Sequence, residues 1–119
     1  MIVKKVRRGV SKLIAPPIKP RWNNGIWEIQ SSMIFSDSQM PQSLLLRGKV
    51  GLERTIKEKK VFHIYLHPWN LLWYQRLRDD LEIMLKYVAK RRDEGKLDVL
   101  TMGELAEYLN SKELVHRQS

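Results

Sequence analysis

Two imidazoles four residues apart, His63 and His67, lie in the run Val-Phe-His-Ile-Tyr-Leu-His-Pro-Trp that spans residues 61–69. On a helix such a pair shares a face and can hold one zinc ion. The neighbours argue for a strand instead: the run is short and apolar, and Pro68, with no backbone N–H, ends it after His67. On a strand the two rings lie about 13 Å apart, whereas zinc–nitrogen bonds are about 2 Å, so the pair does not chelate one ion. Proton transfer is the chemistry left. An imidazole takes up and releases protons near neutral pH, and the C-terminal tips of parallel strands are where catalytic groups gather. From the pattern alone, His67 is either such a group or a partly buried structural histidine.

Other residues bear on the same chemistry. Trp69, Trp73 and Tyr74 follow His67 closely; flat rings of this kind either line a sugar-binding cleft or pack as core. Glu28, if it points into the cleft, orients and charges His67, as a carboxylate commonly does for a catalytic histidine. Asp79 and Asp80 fall in the first turns of a helix, where carboxylates favour the positive end of the dipole. His116 lies near the end of the chain, and a solvated role is expected.

The elements that must position these groups alternate along the chain. Val3, Val6, Val10, Leu13 and Ile14 are spaced for a helix over 3–14, which Pro16, Pro17 and Pro20 stop and extend into a stiff linker. A strand is expected at 26–32. A helix follows over 44–59, with Leu45, Val50, Leu52 and Ile56 on its apolar face. The strand 61–67 points Phe62, Ile64 and Leu66 one way and Val61, His63, Tyr65 and His67 the other. The stripe Leu77, Leu81, Met84, Leu85 and Val88 marks a long helix over 74–94, capped by Gly95. A short strand at 97–100 leads to Thr101-Met-Gly-Glu104, a capping box opening a last helix over 102–110. Beyond 111 a polar, frayed tail is expected. Strands alternating with helices imply a parallel sheet. The polar face of 61–67 suits a barrel interior or cleft.

The stretch Phe-His-Ile-Tyr-Leu-His-Pro-Trp-Asn-Leu-Leu at 62–72, with Arg-Arg-Asp-Glu-Gly at 91–95 and Val-Leu-Thr-Met-Gly-Glu-Leu-Ala at 99–106, resembles the C-terminal end of the polysaccharide deacetylase family, the NodB-like carbohydrate esterases. Gly-Ile-Trp-Glu-Ile-Gln-Ser-Ser at 25–32 is similar to a segment preceding that family's last barrel strands. The resemblance covers about residues 13–110. It implies a fold of class α/β: a partial (β/α) barrel of the polysaccharide-deacetylase type, about three parallel strands with flanking helices. It also implies metal-dependent hydrolysis of N-acetyl groups on carbohydrates, with His67 as the late histidine that acts as acid and Trp69, Trp73 and Glu28 near the substrate. The family's divalent, zinc-like metal is held by an Asp and two His from the N-terminal half of the domain, and these motifs have no counterpart here. No cofactor is therefore expected within this chain, and activity from it alone is not expected.

Bulk properties set the remaining bounds. At 119 residues the chain is one domain at most, about half of what a closed (β/α) barrel needs. Apolar residues make up 43%, enough for a core, and the absence of cysteine rules out disulfides and thiolate metal sites. The net charge of +9 is uneven: seven of the 22 basic residues lie in 1–21, which has no acidic residue, and the other 15 face 13 acidic ones, a net +2. Residues 1–21 thus form a basic helix and Pro-rich linker, 22–110 the deacetylase-like part, and 111–119 the tail. A basic arm of this kind can contact nucleic acid or an acidic partner, and a small basic α/β binding module is the alternative reading. Nucleic acid is the less favoured partner, because no recognition motif accompanies the arm. The favoured partners are a complementary N-terminal half or a second copy, with a carbohydrate as substrate. No segment approaches the ~18 apolar residues of a membrane span, and no signal peptide is evident, so a cytoplasmic chain is expected.

Overall fold

The computed structural model describes residues 15–36 and 42–118. In chain order it contains β1 (Arg21–Asn23), β2 (Ile26–Glu28), β3 (Met33–Ile34), α1 (Gln42–Glu58), β4 (Ile64–Tyr65), α2 (Pro68–Trp73), α3 (Gln75–Asp93) and α4 (Met102–Gln118). The strands form two separate two-stranded sheets, and no barrel closes among the described residues. The expected helix over 3–14 lies outside them.

The first sheet is an antiparallel hairpin, with Arg21 opposite Glu28, Trp22 opposite Trp27 and Asn23 opposite Ile26. Its two-residue turn, Asn24 and Gly25, has φ of 48° and 89°. Positive φ at both central residues matches the right-handed twist of the flanking strands. The continuous strand expected at 26–32 therefore does not exist. The chain spends 26–28 on the hairpin and takes up a new backbone partner at Ser32, whose N–H bonds the His63 carbonyl.

The second sheet is the parallel one, pairing Met33 with Ile64 and Ile34 with Tyr65. With α1 between them, β3 and β4 make a single β–α–β unit, the parallel connection expected from alternating elements. Residues 97–100 join no sheet. Three parallel strands are thus reduced to two. Leu97 packs against the core, while Val99 and Leu100 stay exposed.

The core lies between the parallel pair and the helices. Ala15, Met33, Phe35, Leu44, Leu52, Leu77 and Met84 are buried, and Phe62, Ile64 and Leu66 pack against them. Two glycines set how closely α1 approaches. A Cβ at Gly51 would meet Phe62 Cε2 at 2.6 Å and the Ala15 carbonyl at 2.8 Å, and one at Gly48 would meet Met84 Sδ at 2.9 Å. The buried face of α1 is therefore Leu44, Gly48, Gly51, Leu52 and Thr55, and Val50, expected inside, is exposed.

Polar contacts lock the helices. Tyr87 of α3 donates to Glu53 Oε1 of α1 at 2.6 Å, Arg91 donates to Glu53 Oε2 at 3.0 Å, and Arg91 also holds Glu94 at 2.5 Å. The Arg78 guanidinium donates to the Leu71 carbonyl at 2.7 Å and to the Gln75 side chain, joining the end of α2 to the start of α3. Gly95, at φ 73°, ends α3 as expected: its N–H bonds to the Arg92 carbonyl and that of Lys96 to Arg91. The Thr101 hydroxyl accepts from the Glu104 N–H at 3.1 Å and donates to the Glu104 carboxylate, so the anticipated cap opens α4. That helix continues to Gln118, past the boundary at 111 where a tail was expected.

Candidate functional site

The strand expected over 61–67 shortens to the two-residue β4, but the residues flanking it keep its alternation. Phe62, Ile64 and Leu66 turn into the core. On the other face Tyr65 is 41% exposed, and His63 and His67 are half-buried. Pro68 occupies the first turn of α2, where a missing N–H costs nothing, and His67 is the residue just before that helix, in extended conformation at φ −100° and ψ 120°. Its carbonyl accepts the Asn70 N–H at 3.0 Å. Its side chain makes no capping hydrogen bond, so the ring is left to other contacts.

Those contacts are aromatic. The His67 ring lies flat on Trp69, centroids 4.4 Å apart and planes 12° apart. The Tyr65 ring stands edge-on to it at 5.9 Å and 89°. The three rings form one exposed platform at the end of β4, with Trp69 52% exposed. Tyr65 belongs to it, although the sequence placed it only on the polar face of 61–67 and not among the candidate site residues. The signal was available in the period-two alternation that puts residues 65 and 67 on one face.

The other anticipated site residues do not converge there. Glu28 accepts the Asn23 side-chain amide at 2.7 Å and lies 3.7 Å from Arg21, so its carboxylate serves the hairpin. Among the described residues it makes no hydrogen bond to His67, and stacking on Trp69 takes the place of the expected carboxylate partner. Trp73 is 74% exposed and takes no part in the ring contacts of the platform. It lies with Trp69 and Leu72 at helical spacing on α2 and belongs to an exposed apolar surface. His63 Nδ1 donates to the Gln30 carbonyl at 3.2 Å, and the His63 N–H bonds to Ser32 Oγ at 3.1 Å; both tie β4 to the segment before β3.

The described His63, His67, Asp79 and Glu28 side chains serve other contacts. Among the described residues no three His, Cys, Asp or Glu side chains group closely enough to hold an ion. His63 is turned toward a backbone carbonyl and His67 against an indole. Asp79 accepts the Gln75 side-chain amide at 3.0 Å; α3 begins at Gln75, so Asp79 lies beyond the first turn where the dipole was expected to favour it. No described helix is long and apolar enough to cross a membrane. Comparison with protein-family models, characterised proteins and solved structures finds no match to this chain.

Proposed function

We propose that residues 65–69 are the proton-donating and saccharide-facing part of a polysaccharide-deacetylase-like site, and that this chain supplies only that part. The observation that carries the reading is the His67 ring stacked on an exposed Trp69, two residues beyond the parallel strand β4. A pyranose ring offers an apolar C–H face, for which an exposed indole is a suitable surface. A histidine beside that surface is within reach of a group on the bound sugar. In the proposed step water adds its hydroxyl to the acetyl carbon and the C–N bond breaks. The His67 imidazolium gives its proton to the departing amine, leaving acetate and the free amino sugar. Activation of the water falls to groups outside this chain, contributed by a complementary polypeptide, and acetate release by the chain alone is not expected.

The reading is tested by titrating the full chain with a tetramer of N-acetylglucosamine while following tryptophan fluorescence. A saturable change is expected in the millimolar range or below, lost in Trp69→Ala and kept in Trp22→Phe, which alters only the hairpin. No saturable change, or one that survives Trp69→Ala, contradicts it.

A further inference from the structure

The backbone of residues 61–66 has two edges, and they are treated very differently. The odd-numbered residues are bonded at every position. Val61 exchanges both bonds with Ile18 at 2.8 and 2.7 Å, the His63 carbonyl accepts from Ser32 at 2.7 Å, and the Tyr65 carbonyl accepts from Phe35 at 2.8 Å. Ile64 sits in register with Met33 between these bonded residues, so its own N–H and C=O face away from β3. Among the described residues Phe62, Ile64 and Leu66 make no backbone hydrogen bond on that second edge. Edges left bare in this way are normally guarded by a charge, a proline or a bulge. From Val61 to His67 there is none of these.

We propose that this edge is closed by a second copy of the same chain, strand against strand. The groups to be satisfied are N–H and C=O pairs repeating every second residue, which another extended backbone matches. The sequence is self-complementary for an antiparallel pairing centred on Ile64. Ile64 then faces its own copy and Phe62 faces Leu66, so the core-side positions are apolar throughout. On the opposite face His63 meets Tyr65. Such a pairing supplies about six backbone hydrogen bonds and, being two-fold, closes as a dimer. Lys60, which flanks the edge, is paired with Glu58 at 3.3 Å. The inference rests on backbone geometry and register and is independent of the saccharide reading.

Sedimentation equilibrium of the full chain, from low micromolar to about 100 μM, is expected to show a monomer of 14.1 kDa passing to twice that mass. Ile64→Pro removes an N–H that points only at the bare edge, and should raise the dimer dissociation constant at least ten-fold with the far-UV spectrum unchanged. A second arm covers the case in which that variant fails to fold. The chain has no cysteine, and in this register residues 63 and 65 of the two copies form a closely spaced pair, about 4.5 Å between Cα atoms, within disulfide range. A His63→Cys chain mixed with a Tyr65→Cys chain should therefore cross-link under oxidation more readily than either does alone. A monomer at every concentration, or a dimer with no preference for the mixed cross-link, overturns the proposal.

Discussion

The contact between α1 and α3 and the tip of β4 with α2 are built from similar residues put to opposite uses. In the first, apolar groups are closed in: Leu52, Leu77 and Met84 are buried, and Gly48 lets α1 approach Met84 of α3. At its margin Tyr87 and Arg91 of α3 donate to Glu53 of α1. In the second, Trp69, Leu72 and Trp73 are 52%, 76% and 74% exposed, and the rings of Tyr65, His67 and Trp69 touch one another at the surface. The difference teaches that apolar content alone does not say where stability resides. The helical contact holds the fold, and the strand tip presents groups that the fold does not need.

The largest test of that contrast pairs two aromatic truncations. Phe35 is fully buried, and Phe35→Ala should cost about 3–5 kcal/mol, most of the stability of a small domain. Trp73→Ala removes a larger ring yet should stay within about 0.5 kcal/mol of the parent. Urea denaturation of both variants measures the gap. Comparable losses would erase the distinction between the two regions.

Next in size is Gly51→Val, which drives a branched side chain into Phe62 and the Ala15 carbonyl. A loss of about 1–3 kcal/mol is expected by the same assay, and a neutral result would show that α1 does not sit against β4 as described.

The Glu53 link between α1 and α3 gives a pH-dependent prediction. The Tyr87 hydroxyl, opposed by partial desolvation and helped by Arg91, holds the Glu53 carboxyl below the usual carboxylate range. A group whose pKa is lower in the folded state stabilises above its unfolded value and loses that contribution as pH falls through the folded one. Stability should therefore decline on acidification below about pH 5, less steeply in Glu53→Gln. With the Glu53 side chain 42% exposed, the contribution is held to about 1 kcal/mol or less. Thermal melts of both proteins between pH 3 and 7 check the sign, and identical slopes would remove Glu53 from the account.

Smallest is Lys59→Gly. Lys59 ends α1 at φ 54°, a conformation that costs a residue with a Cβ and not glycine, so about 0.5–1 kcal/mol of stabilisation is expected in the same melts.

Much of the scaffold was legible in the residues, for identifiable reasons. The alternation in 61–67 sorted Phe62, Ile64 and Leu66 to the core because a strand has only two faces. Gly95 and Thr101 marked helix ends because their chemistry there is local. The hairpin at Arg21–Glu28 was missed although Asn24-Gly25 between apolar residues is a strong turn signal, because 26–32 was read as one uninterrupted strand. The inner face of α1 was misjudged because it is made by Gly48, Gly51 and Thr55, which carry little hydrophobic signal and act through close approach. Of the candidate site residues, the His67 and Trp69 rings lie stacked. Glu28 was assigned to them from strand proximity, but the hairpin register gives its carboxylate to Arg21 and Asn23 instead. The 97–100 segment had the composition of a strand, but a strand forms only with a partner edge, which local composition does not reveal.

The proposed saccharide-facing His67–Trp69 platform is tested by two-dimensional NMR of the full chain during titration with the N-acetylglucosamine tetramer. Saturable shifts of the His67 imidazole and the Trp69 indole, with those of Trp22 and Trp27 unmoved, are the expected result. Shifts confined to the hairpin, or none at millimolar sugar, would contradict it.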